Sequence, residues 1–222
     1  YISRAEDDEA TRLQANAIEL AMLLTLPCAV ALFISGFAFV KAFMEGQAFT
    51  AEDARITGNV LQALVVGLPA YVLVKVLTPN FFARKDTRTP VYTAGASLVV
   101  TVALNFLLVP IFGVVGLALA GAVGAWANII MLGVVLARRG FFRLPPRVVG
   151  RLVRIALATA VMGACLWALM QAIAPWLAGT TITKLLAIGA IMAVSLVTYG
   201  ISTVALGVLD KATIERLMRR QT

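Results

Sequence analysis

Phe81-Phe82-Ala83-Arg84-Lys85-Asp86-Thr87-Arg88-Thr89-Pro90 interrupts an otherwise oily chain and carries three cations within five residues. The apolar segment before it ends in Tyr71, Lys75, Thr78, Pro79 and Asn80, and a fresh apolar run begins at Val91. A charged connector between two membrane-length segments reads as a cytoplasmic loop, because cations resist transfer across the bilayer. The rest of the chain agrees. Of 222 residues, 61% are hydrophobic and only 14% charged, against roughly 25% charged in a soluble domain. Mean hydropathy is +0.93. Repeated apolar runs of about 20 residues make this an all-α polytopic membrane protein.

Outward from the central stretch, six spans are expected. The first covers about Leu20 to Phe43 with Pro27 inside it, and a polar, helix-forming segment from Thr11 to Glu19 leads into it. Ser3 and Glu6 have the spacing of a capping box, and Thr50-Ala51-Glu52-Asp53 has the look of a helix start. The second span runs from about Ile56 to Val76 and contains Pro69. The third, about Val91 to Phe112, contains Asn105 and Pro110, and a tight turn at Gly113 joins it to the fourth, about Val114 to Ala137. A basic loop with Pro145-Pro146 leads to the fifth, about Leu152 to Leu177, and the sixth covers about Leu185 to Leu209 before a charged tail.

Charge sets the orientation. Fifteen of the 19 cations lie in the N-terminal segment, the central loop, the Arg138 to Arg154 loop and the tail, all on one side. Lys41, Arg55 and Lys184 lie on the other, and Lys75 sits within a span. Both ends are therefore expected in the cytoplasm. The net charge of +8 is explained by orientation and by anionic headgroups rather than by nucleic acid, since no aromatic residues interleave with a basic groove. The absence of histidine removes the commonest acid–base catalyst and metal ligand. Cys28 and Cys165 fall inside apolar runs and read as small buried residues, neither a disulfide nor a metal pair.

Catalysis finds little support. The acidic residues read as loop or helix-end residues, Gly95-Ala96-Ser97-Leu98-Val99 lacks the second glycine of a nucleophile elbow, and no cofactor or metal site is expected. The glycines from Gly113 to Gly124 follow no strand and precede no Lys-Ser/Thr, so they read as helix-packing residues. Lys75 shares a helix face with Tyr71 and Thr78. It either marks a substrate path or snorkels to the headgroups from near the cytoplasmic end. Asn105 and Asn128 read as interhelical hydrogen-bonding groups, with a substrate path as the sharper alternative. Asn59 and Gln62, near the outer end of the second span, need only water. The fifth and sixth spans are nearly featureless apart from Thr159, Gln171, Ser195, Thr198, Tyr199 and Ser202, so they read as lipid-facing, with a groove for an isoprenoid tail as the alternative.

Together, Gly46-Gln-Ala-Phe49-Thr50-Ala-Glu-Asp53, Gly67-Leu-Pro, Lys75-Val-Leu and the run from Phe82 to Pro90 resemble the MurJ/MviN lipid II flippase family, in the multidrug/oligosaccharidyl-lipid/polysaccharide exporter superfamily. Asn105, Pro110, Gly113-Val-Val-Gly116-Leu-Ala and Arg138-Arg-Gly140 follow in the expected order. The resemblance implies a fourteen-helix fold of two six-helix lobes and two additional helices, of which this chain holds the last six. Residues 1–140 would be part of the second lobe (four helices), and 141–222 the two additional helices and a cytoplasmic tail. The implied activity is moving the undecaprenyl-pyrophosphate-linked peptidoglycan precursor, lipid II, across the bacterial cytoplasmic membrane by alternating access. The implied partners are lipid II, membrane lipids and an N-terminal lobe that this chain lacks. Tyr71, Lys75, Asn105 and Asn128 would line the substrate path, and Arg84, Lys85, Asp86, Arg88 and Pro90 would govern orientation or gating. Some relatives bind sodium through an asparagine and acidic groups; here Val109 stands one turn after Asn105, so no sodium site is carried over. The competing readings are an exporter of another lipid-linked oligosaccharide or of drugs and, from a different class, an isoprenoid-handling membrane enzyme.

Overall fold

A computed structural model of the chain describes residues 2–44, 50–140, 145–177 and 181–208. Among them are six helices and no strand: α1 (Ile2–Met44), α2 (Ala51–Ala83), α3 (Arg88–Phe112), α4 (Val114–Arg138), α5 (Pro146–Leu177) and α6 (Thr181–Ala205). Each is long and apolar enough to cross a bilayer. The side chains of the Ser3–Glu6 box, the Gly46–Phe49 motif and the tail lie outside the described residues.

Five of the six helices run further than hydropathy predicts, and α6 keeps its expected length but starts and ends four residues earlier. α1 has 43 residues, a rod of about 65 Å at 1.5 Å per residue, so its polar first turns project past a hydrocarbon core of about 30 Å. The largest correction falls on the central stretch. It is not a ten-residue loop: α2 continues to Ala83 and α3 begins at Arg88. Tertiary packing explains this, because Phe81 is buried against Leu132 and Leu136 of α4. Pro79 loses one donor but does not stop the helix. α2 then ends in a Schellman motif. Lys85, at φ 60°, donates its N–H to the Phe82 carbonyl (2.9 Å), and Asp86 N–H reaches back to Phe81 (2.9 Å). At the other end, Thr50 and Asp53 form the reciprocal capping box that opens α2.

Gly113 turns the chain from α3 into α4 with φ 59°, a left-handed conformation that costs glycine nothing. Three residues on, a Cβ on Gly116 would lie 2.4 Å from the Leu108 carbonyl oxygen, so only glycine lets the two helices meet there. α3 is nevertheless the least covered span. It packs chiefly on α4, and its buried residues are Thr89 and Thr93, both at one end. The fifth and sixth spans, expected to be the lipid-facing ones, are better covered than this.

α1 is the hub. One core joins Ile18 of α1 to Ala70 and Leu77 of α2 and to Ala125 and Ile129 of α4. A second joins Ala38 of α1 to Leu166 and Ile173 of α5 and to Ala187 and Ile191 of α6. Among the described residues the backbones of α5 and α6 approach α1 and each other, and no other helix. Cys28 and Cys165 are exposed on helix surfaces, contrary to the expectation of burial. Small apolar-run residues face lipid as readily as core, since both are oily.

Candidate functional site

Polar side chains gather at the end of the bundle that carries the α2–α3 turn, where they clamp pairs of helices together. Asp86 sits at the centre of one clamp. Its carboxylate accepts from the N–H groups of Arg88 (3.1 Å) and Thr89 (3.0 Å), which opens α3, and from the Thr89 hydroxyl (2.6 Å). Arg139, just past α4, completes it by pairing with Asp86 and donating to the Thr89 oxygen at 3.1 Å. These donors, Thr89 first and then Arg139, hold the Asp86 carboxyl far below the usual carboxylate range. A depressed folded value means the stabilisation is complete above the unfolded value of about 3.9 and fades only as pH falls towards the folded one. Arg139→Ala is therefore expected to speed amide exchange at residues 84–90, whereas lowering the pH from about 7 to about 5 leaves the clamp unchanged. Hydrogen exchange at both pH values checks both statements.

A second clamp joins α1 to α2: Asn80 donates to Gln14 at 2.6 Å and accepts from Arg84 at 3.0 Å. A third joins α1 to α5 through Arg151 and Glu19 at 2.9 Å, with side chains only 22% and 13% exposed. Glu19 thus lies inside a 43-residue helix and is paired, which corrects the reading of every acidic residue as a loop or helix-end group. The signal is present in the spacing: Arg12, Asn16 and Glu19 share one face of α1, as Arg147, Arg151 and Arg154 do on α5.

A fourth contact lies deeper. Pro27 has no N–H, so the carbonyl of Leu23, four residues earlier, lacks its helical donor. The Tyr199 hydroxyl of α6 donates to that carbonyl at 2.6 Å. In hydrocarbon no water substitutes for the missing donor, so proline and tyrosine form a functional pair 172 positions apart. Tyr199→Phe is expected to destabilise the protein by about 1 kcal/mol. In a Pro27→Ala background the same change is expected to cost almost nothing, because the introduced alanine restores the N–H donor. A double-mutant cycle on thermal unfolding in mild detergent measures the difference.

The other candidates are scattered along the bundle. Tyr71 and Lys75 are exposed on α2, and Tyr71 leans over Gly121 of α4. Thr78, on the same face, spends its hydroxyl on the Val74 carbonyl at 2.7 Å. Asn105 and Asn128 are not brought together. Gly116 meets Leu108 and Gly124 meets Thr101, a register that sets the two asparagines about two turns apart along the hairpin. The side-chain carbonyl of each is buried and has no partner among the described residues, so the expected interhelical bonds are not made by these oxygens. Lys85 and Arg88 are exposed, and Pro90 lies in the first turn of α3. Gln62, expected only to meet water, donates to the Phe33 carbonyl at 2.8 Å and ties α2 to α1. No group of metal-ligating side chains occurs among the described residues.

The class is then a multi-span helical membrane bundle whose helices are clamped by polar groups at one end. The chain belongs to the Lipid II flippase MurJ family, whose model matches residues 2–187. It is 34% identical over 96% of its length to the probable lipid II flippase MurJ of Rhizobium tropici, of which it covers 40%. It is 32% identical over 64% of its length to the lipid II flippase MurJ of Burkholderia cenocepacia, of which it covers 28%. The fold matches a solved lipid II flippase MurJ in an inward closed conformation, with a TM-score of 0.68 and 23% identity over 88% of this chain and 40% of that one. The chain therefore spans about 40% of the length of the first of these relatives, in their C-terminal part.

Proposed function

We propose that the chain is part of a lipid II flippase, moving the undecaprenyl-pyrophosphate-linked peptidoglycan precursor across the bacterial cytoplasmic membrane by alternating access, without catalysing a reaction. The match of the family model to residues 2–187 carries this reading, and it spans the polar turn and both flanking helices. The physical task is to pass a pyrophosphate and sugars through hydrocarbon while an isoprenoid tail stays in lipid, which calls for a polar path beside oily helices.

In this reading Tyr71 and Lys75 face the substrate path. Their support is that they lie exposed on α2 in a membrane-length segment, where an uncovered charge is costly unless water or a ligand meets it. Asn105 and Asn128 have carbonyls that await a donor, which substrate, water or the N-terminal lobe would supply. Arg84, Lys85, Asp86, Arg88 and Pro90 govern orientation and gating at the α2–α3 turn, supported by the Asp86–Arg139 clamp that ties the turn to α4. Both ends of the chain are cytoplasmic, supported by the charge bias. Residues 1–140 are part of the second lobe and 141–222 an added pair with its tail, supported by the attachment of α5 and α6 to α1 alone among the described helices.

Native mass spectrometry of the full-length protein, gently extracted from its own membrane, tests the assignment. The expected result is a retained lipid with the mass of undecaprenyl-pyrophosphate-disaccharide-pentapeptide. A different lipid-linked saccharide in its place would overturn the substrate and favour an oligosaccharide exporter.

A further inference from the structure

A cavity of about 800 Å³ opens between the first turns of α5 and the polar part of α1. Among the described residues its charged lining is three arginines, Arg12, Arg147 and Arg151, against one carboxylate, Glu19. The Glu19–Arg151 pair balances itself, which leaves Arg12 and Arg147 as the excess positive charge, both exposed at the mouth. Deeper in, the lining changes to Leu20, Leu23 and Ile155.

The position explains that gradient. α1 turns apolar at Leu20 and α5 at Ile155, so the arginines stand at headgroup level and the apolar floor lies at the edge of the hydrocarbon. A soluble anion has no use for the floor, and a lipid without net negative charge leaves the two guanidinium charges without compensation. We propose that this cavity binds the headgroup of an anionic glycerophospholipid, its phosphate held by Arg12 and Arg147 and its upper acyl chain lying on Leu20, Leu23 and Ile155. Guanidinium forks suit phosphate oxygens, and the surface potential of an anionic leaflet concentrates such lipids where basic residues cluster. Bound there, the lipid bridges α1 and α5 beside their ion pair, so membrane charge strengthens the attachment of the α5–α6 arm. This goes beyond the flippase reading and does not depend on it.

The test places the full chain in nanodiscs of phosphatidylcholine alone or with about a third phosphatidylglycerol, neither containing any lipid-linked saccharide. Hydrogen exchange at residues 146–156 and the anionic lipid retained in native mass spectra are the readouts. Phosphatidylglycerol is expected to slow exchange in this segment, and Arg12→Gln with Arg147→Gln to weaken its retention about tenfold. Arg138→Gln, which removes one charge at the same end but outside the cavity, is expected to behave like the unaltered chain. Arg147→Lys, keeping the charge and losing the fork, is expected to fall between. Unchanged exchange at α3 and α4 shows that each variant is folded. Equal retention in all variants overturns the site. So does protection by inorganic phosphate in phosphatidylcholine discs to the same degree, since the occupant is then a free anion.

Discussion

Gly116→Ala is expected to cost about 3 kcal/mol, at the upper end of what overpacking does, although it adds a single methyl group. The new Cβ would sit 2.4 Å from the oxygen and 2.6 Å from the carbon of the Leu108 carbonyl, and 3.0 Å from the Val109 nitrogen. All three are backbone atoms, so no rotamer change relieves the clash. The α3–α4 hairpin has to open about its turn at Gly113, and α3 has little else to hold it, being packed chiefly on α4. Gly133→Ala on the same helix is the matched contrast. Nothing lies within 4 Å of its added Cβ, and alanine is the better helix former by about 1 kcal/mol, so that variant is expected to gain slightly. Thermal unfolding of the two variants in the same detergent decides whether close approach, rather than glycine content as such, sets the hairpin.

The second large effect is expected from Glu19→Ala. Removing one member of a mostly buried ion pair costs about 3–5 kcal/mol when burial is complete and the other charge is left uncompensated; with 22% of Arg151 exposed and a further contact on its side chain, about 2 kcal/mol is expected here. The loss has a predicted address. The pair joins α1 to α5, so amide exchange is expected to rise in the first turns of α5 while α3 and α4 stay protected. The charge-swapped double variant, Glu19→Arg with Arg151→Glu, is expected to recover most of the loss. Uniform loosening of all six helices would show instead that the pair holds the whole bundle.

The contrast between Glu19 and Gly113 shows what the sequence makes legible. Span number, the glycine turn and the Thr50 cap can be read because each is a local consequence of hydropathy, positive φ or side-chain length. The polar turn reads too long because Phe81 looks like a loop residue until Leu132 and Leu136, some fifty positions away, cover it. Glu19 looks like a helix-end acid for the same reason: its partner is 132 residues distant. Tyr199 and Pro27 each stand out in the sequence, but not as a pair, although a proline always frees the carbonyl four residues before it. At the candidate site, hydropathy singles out Lys75, Asn105 and Asn128 as polar residues in oily segments. It offers no means of placing them relative to one another, because that depends on the helix register set by Gly116 and Gly124.

Where α1 is pinned has a mechanical meaning. Two polar ties from α1 to α5 and α6, through Glu19 and the Leu23 carbonyl, precede Pro27, and beyond it Ala38 packs among Leu166, Ile173, Ala187 and Ile191. Directional bonds resist sliding, whereas oily side chains surrounded by oily lipid exchange neighbours at little cost. The α5–α6 pair is thus pinned to α1 at the level of Glu19 and Leu23. Shear between α1 and the pair is therefore resisted at the level of Glu19 and Leu23, where sliding by one turn would break both directional bonds at once.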